Sequence, residues 1–127
     1  MITHESSENY LETILMLSEK NANVRSVDIA NEMGFKKSSI SVAMKNLRNR
    51  GHITVDENGH IFLTEEGRQI AEMIYERHNF FSEWLTSLGV AEEIAVEDAC
   101  RLEHVISKES FAAMKKFINS AKECVKL

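Results

Sequence analysis

Proline is absent from this 127-residue chain. Nothing in it therefore strips a donor from a helix interior, and long helices are open to it. Cysteine is scarce, at two residues, and Met1-Ile2-Thr3-His4-Glu5 lacks the basic and apolar regions of a secretory signal. The two thiols thus read as reduced groups in a cytoplasm rather than as a bridge. No apolar run approaches the ~20 residues of a membrane span. Missing as well are a paired general base, an oxyanion-hole loop and a His-Glu-x-x-His stretch, so nothing points to an enzyme.

What is present suits one domain, or two small subdomains. A hydrophobic fraction of 43% supports a core and a charged fraction of 28% a normal polar surface. The formal net charge of −5 weighs against nucleic acid, but its distribution matters more. Residues 1–23 carry four acids and one base, and residues 64–127 carry twelve acids and eight bases. The window 36–50 holds Lys36, Lys37, Lys45, Arg48 and Arg50 and no acid at all. A basic patch on an acidic body is the electrostatic footprint of a polyanion partner.

Periodicity divides the chain. Tyr10, Leu11, Ile14, Leu15 and Leu17 keep a helical spacing over residues 6–20. Ser26 to Met33 predicts a second helix with Ser26 as N-cap and Gly34 as its stop. A third helix follows over residues 37–50, stopped by Gly51, with Ile40, Ala43, Met44 and Leu47 inward and Ser38, Ser41, Val42, Lys45 and Asn49 outward. The period then changes to two short β-branched runs, 52–55 and 60–63, around Asn58-Gly59. That pair predicts a tight hairpin turn with both central residues at positive φ. Thr64 should cap a long helix to Leu88 whose apolar stripe, Ile74, Phe81, Leu85 and Leu88, includes His78. Further helices are predicted from Ala91 to Ile106 and, capped by Ser107, through Phe111, Met114, Ile118 and Ala121.

Two short helices, a Gly-containing turn, a third helix and a hairpin describe a winged helix-turn-helix. Its third helix would enter the major groove. Ser38, Ser39 and Ser41 are short enough to allow that and can bond to base edges or phosphates. Lys36, Lys37, Lys45, Arg48 and Arg50 would hold phosphates, with Asn58 and His60 of the wing near the backbone. The plainer alternative is a solvated basic face.

Cys100, Glu103 and His104 would stand at i, i+3 and i+4 of a helix, about 5–6 Å apart at Cβ. A thiolate, a carboxylate and an imidazole on one patch suit a divalent transition metal. Each has a structural alternative. Cys100 can be a small buried hydrophobe and His78 a core histidine bonded to a carbonyl, while Glu12 can be surface charge. Glu103 lies beside an apolar face, where carboxylates are almost never unpaired. Cys124 takes no role, and His4, His52 and His60 are expected at the surface.

The stretches Asn9-Tyr10-Leu11-Glu12, Val27-Asp28-Ile29-Ala30, Leu63-Thr64-Glu65-Glu66-Gly67, Tyr75-Glu76-Arg77-His78 and Asp98-Ala99-Cys100-Arg101-Leu102-Glu103-His104-Val105-Ile106-Ser107 together resemble the metal-dependent repressors of the diphtheria toxin repressor and manganese transport regulator type. The resemblance implies a mainly α-helical protein with a small β-hairpin wing. A winged helix-turn-helix DNA-binding domain would cover 1–63, and an α-helical dimerisation and metal-binding domain 64–127. It implies a cytoplasmic homodimer that represses metal-homeostasis genes at a palindromic operator in double-stranded DNA, without contact with a membrane. The implied metal ligands are Asn9, Glu12, His78, Cys100, Glu103 and His104. At Asn9 manganese members carry aspartate and iron members methionine, whereas Cys100 follows the iron pattern. Ser82 and Val96 occupy positions that supply ancillary ligands in iron members. The chain ends where those members continue into an SH3-like domain. The thiol favours iron(II) over manganese(II), with zinc and cobalt expected to bind in vitro. The alternatives are a winged-helix transcription regulator that does not sense metal, a small metallohydrolase and an inert dimerisation module.

Overall fold

The computed structural model describes residues 4–125, with side chains described over 5–121. Six helices and one hairpin follow in the order α1 (His4–Lys20), α2 (Ser26–Met33), α3 (Lys37–Asn49), β1 (Ile53–Val55), β2 (Ile61–Leu63), α4 (Glu65–Ser87), α5 (Glu92–Leu102) and α6 (Lys108–Val125). The chain forms two compact units, Met1–Tyr75 and Glu76–Leu127, and the division falls inside α4.

The first unit closes around Leu11, Ile14, Ile29, Ile40, Leu47, Ile53 and Ile61, all at 2% exposure or less. Each fully buried side chain of this size contributes roughly 1.5–3 kcal/mol relative to an exposed one. The helical spacing read from α1 is the buried stripe: Tyr10, Leu11, Ile14 and Leu15 face inward, with Leu17 packed at the margin. α2 has the expected span, Ser26–Met33, but Arg25 rather than Ser26 is its N-cap. Its Asp28 carboxylate accepts the Arg25 N–H at 2.9 Å, occupying an otherwise orphaned donor. α2 stops at Gly34, whose φ of 70° is left-handed, and the Phe35 N–H closes back onto the Ala30 carbonyl at 3.1 Å. Three residues later α3 begins, burying Ile40, Ala43, Met44 and Leu47 as its spacing predicts.

β1 and β2 pair antiparallel, Ile53 opposite Leu63 and Val55 opposite Ile61. The turn departs from expectation. Gly59 has φ 79°, but no described non-glycine residue has positive φ, so Asn58 does not. The loop is the three-residue kind, a turn followed by a left-handed glycine. The Gly59 N–H donates to the Asp56 carbonyl at 3.1 Å and the Asp56 N–H to the His60 carbonyl at 3.0 Å. The Asp56 side chain supplies what an all-backbone turn would have supplied, accepting the N–H groups of Asn58 and His60 at 2.9 Å each. At the base of the hairpin Thr64 accepts the Gly67 N–H at 3.1 Å, the cap predicted for α4. Gly67 is needed for space: a Cβ there would lie 2.0 Å from the His52 carbonyl oxygen. His52 and His60 are half-buried rather than at the surface, His52 lying 3.6 Å from Glu66 and His60 3.3 Å from Asp56.

The second unit packs the C-terminal part of α4 with α5 and α6 around Phe81, Ala99 and Phe111, bordered by Phe80, Trp84, Ile106 and Met114. Phe80 meets Phe81 and Phe111 edge-on at 5.4 and 5.2 Å, the geometry ring quadrupoles favour. Ser107 caps α6 as expected, accepting the Ser110 N–H at 3.1 Å. α5 ends at Leu102, four residues short of the predicted Ile106. The cause is Arg77 of α4, 5% exposed, which donates to the carbonyls of Glu103 at 3.2 Å and Ile106 at 2.8 Å. Those two carbonyls, which a continued helix would have bonded to its own N–H groups, take a charged donor instead. Ala121, expected inward, is exposed, and Cys124 and His4 lie outside the described side chains.

Candidate metal centre and nucleic-acid interface

The last turn of α5 and the bend after it bring Cys100 and Glu103 beside His78 of α4, with His104 next to Glu103. Glu103 is the focus, with no exposure. Its Oε2 lies 3.0 Å from Nδ1 of His78, and that same nitrogen lies 3.7 Å from the Cys100 sulfur. Ligand atoms of His78, Cys100 and Glu103 all fall within 4.8 Å of one another, a spacing one ion can span. Nε2 of His104, whose side chain is 1% exposed, lies 3.2 Å from Glu103 Oε1. That approach lacks hydrogen-bond alignment, so Oε1 accepts no hydrogen bond among the described residues. The expected i, i+3, i+4 helical patch is therefore realised differently. Cys100 is helical, while Glu103 and His104 sit in the turn that Arg77 holds.

A carboxylate out of water costs several kcal/mol unless positive charge or aligned donors offset it. Two imidazoles flank this one, and only one is aligned to donate. A buried carboxylate, one of whose oxygens accepts no hydrogen bond among the described residues, together with a thiol and a ring nitrogen, fits a divalent transition ion. His78 is 21% exposed along its side chain, and Cys100 is exposed. An open cleft of about 650 Å³ runs past His78 and is lined by Asn79, Ser82, Glu83, Glu92 and Val96. Arg77 was missed as a participant. Nothing local marks it, because its partners stand 26 and 29 residues downstream. Its guanidinium also lies over the Phe111 ring, 5.3 Å from the centroid.

Asn9 and Glu12 lie on α1 of the first unit, both half-buried. The Asn9 backbone carbonyl accepts the Thr13 hydroxyl at 2.9 Å.

In the first unit the eight residues read as a DNA face, Lys36, Lys37, Ser38, Ser39, Ser41, Lys45, Arg48 and Arg50, are all exposed. Ser41, Lys45 and Arg48 border a surface cleft of about 360 Å³ together with Ser26, Met44 and Val55. Arg50 differs from the rest: its Nη1 donates to the Ser7 hydroxyl at 3.0 Å, holding it to α1. The wing carries acid at its tip, Asp56 and Glu57. The His60 backbone N–H, followed by the Asn58 N–H and the His60 ring, holds the Asp56 carboxyl below its ordinary value against a smaller opposing push from burial. A further cation also escaped notice. The exposed Arg25 donates its guanidinium to the Asn58 carbonyl at the wing. It lies in a loop, outside any periodic pattern.

A helix-turn-helix with a hairpin wing, followed by an α-helical dimerisation and metal-binding unit, defines a winged-helix transcriptional regulator of the metal-dependent kind. The chain belongs to the iron-dependent repressor family. The profile described as "Iron dependent repressor, N-terminal DNA binding domain" matches residues 2–61, and "Iron dependent repressor, metal binding and dimerisation domain" matches 64–126. It is 32% identical over 123 residues to an uncharacterized HTH-type transcriptional regulator of Methanocaldococcus jannaschii, covering 95% of this chain and 98% of that protein. It is 34% identical over 113 residues to the transcriptional regulator MntR of Escherichia coli O6:H1, covering 89% and 73%. Among solved structures it matches the manganese regulator SloR with a TM-score of 0.79 at 27% identity, over 89% of this chain and 53% of that one. T. acidophilum IdeR shares the fold, with a TM-score of 0.77 at 22% identity over 94% and 55%. The chain spans about half the length of these two solved proteins. The family consists of transcriptional regulators, and no described helix is long and apolar enough to cross a membrane.

Proposed function

We propose that this chain is a repressor of metal-homeostasis genes that binds double-stranded DNA as a homodimer when a divalent transition metal is present. The observation that supports the reading best is the His78, Cys100 and Glu103 cluster, with its fully buried carboxylate. His78, Cys100, Glu103 and His104 would hold the ion, joined by Glu12 and, through its amide oxygen, Asn9. When bound, the ion supplies positive charge and a coordination sphere that only one arrangement of these donors completes. Donors from α1 and from the helices after the wing are then needed together, and DNA affinity follows from the difference in metal affinity between arrangements. We take the DNA-binding domain as 1–63 and the dimerisation domain as 64–127. Lys36, Lys37, Lys45, Arg48 and Arg50 would hold phosphates, and Ser38, Ser39 and Ser41 would bond base edges or phosphates. Two such helices would read the half-sites of a palindromic operator about one turn apart.

Several related regulators are named for manganese, among them SloR, whereas the family models are named for iron. The Cys100 thiol favours a softer ion, and we assign iron(II) ahead of manganese(II) on that ground. Titration with each ion under reducing conditions tests the assignment, and tighter manganese(II) binding overturns it. DNA binding by Glu103→Ala and His104→Ala tests the sensor itself. Loss of metal dependence is the expected result. Unchanged dependence favours the second reading, a winged-helix regulator that does not sense metal, for which the neutral Asn9 side chain is the supporting observation.

A further inference from the structure

The outer face of α3 is hydrophilic but for one residue. Ser38, Ser39, Ser41, Lys45 and Arg48 are exposed, and Val42 stands among them at 60% exposure. Val42 is one helical turn from Ser38 and from Lys45, so the three share a face. It is no part of the core, whose α3 contribution is Ile40, Ala43, Met44 and Leu47. An isolated surface valine is ordinary elsewhere on a protein. Here it sits at the middle of the helix assigned to the major groove, and the serines at 38, 39 and 41 on its N-terminal side are too short to hold it away from the bases. The floor of that groove offers one apolar group, the C5 methyl of thymine. Valine can neither donate nor accept a hydrogen bond, so this methyl is what it can distinguish.

Resting on the DNA-binding reading above, we propose that Val42 is a specificity-determining residue that packs against thymine methyl groups in each half-site. Ser38 and Ser41 beside it would bond to neighbouring base edges or phosphates, and Lys45 to the backbone. The operator would then carry a thymine at a fixed position of each half-site, chosen by methyl contact rather than by a hydrogen bond.

The test uses the full chain loaded with iron(II) under reducing conditions and, in parallel, with manganese(II). A preferred duplex is selected from a randomised pool, and each thymine is then replaced in turn by deoxyuridine, which lacks only the methyl. At one symmetric pair of positions the replacement should weaken wild-type binding about fivefold per methyl, the order expected for one buried methyl group. Val42→Ser should bind thymine and uracil duplexes alike at that pair, and Val42→Ile should restore the discrimination. Both variants should keep the wild-type melting temperature, since the side chain is exposed. The proposal fails if uracil is tolerated at every position of the selected duplex. It fails equally if Val42→Ser discriminates as the wild type does. A pool from which no duplex is enriched overturns the DNA-binding reading itself, and this assignment with it.

Discussion

Glu103 has the most demanding environment of any side chain described. It is out of solvent, flanked by His78 and His104, and one of its oxygens accepts no hydrogen bond among the described residues. Glu103→Gln keeps the volume and removes the charge. It should lower divalent-metal affinity at least tenfold, read by competition with a chromophoric chelator. Arg77 acts on the same bend through the main chain. Arg77→Met, which leaves two carbonyls without their charged donor, should destabilise the fold by roughly 1–3 kcal/mol in urea denaturation, with Arg77→Lys in between. At the wing, the Asp56 carboxyl has its folded-state value depressed by backbone N–H groups. Its contribution is therefore complete above the ordinary carboxylate value and is lost as pH falls through the lower folded value. The side-chain carboxyl carbon resonance of Asp56 should show its titration step at a pH below the ordinary carboxylate value, and a step at or above that value would contradict it. At this scale the sequence carried the residue types of the candidate site. Cys100, Glu103 and His104 are near neighbours along the chain, and a resemblance added His78. Arg77 was hidden because a buried cation is recognised only by the carbonyls it serves.

Elements were legible wherever one face is buried throughout. The stripes of α1, α2 and α3 follow directly from apolar spacing, and Gly34 stops α2 where its left-handed φ requires. Boundaries set by side chains of other elements were not. α5 stops at Leu102 because α4 lends a guanidinium to the residues that follow. The wing turn took the three-residue form because the Asp56 side chain, rather than a second left-handed residue, satisfies its N–H groups. Gly67 is the clearest case of a local residue fixed by a distant backbone. Gly67→Ala would place a methyl 2.0 Å from the His52 carbonyl oxygen, so the wing base must move. The expected cost is about 1–3 kcal/mol, visible as a lowered denaturation midpoint.

For the molecule as a whole, an acidic chain with one acid-free basic window predicts DNA binding that is electrostatic but local. The affinity should fall linearly on logarithmic axes with salt, and Lys45→Ala should reduce that slope by about one per protomer. In the proposed mechanism the second unit's cluster controls this interaction. Fluorescence anisotropy with a selected duplex, run for wild type and Glu103→Gln with excess chelator or excess manganese(II) or iron(II), addresses it most directly. Wild type should bind at least tenfold more tightly with metal than with chelator, and Glu103→Gln should bind equally in both. Equal wild-type affinity in chelator and in metal, or a Glu103→Gln variant that still responds fully, would contradict the account.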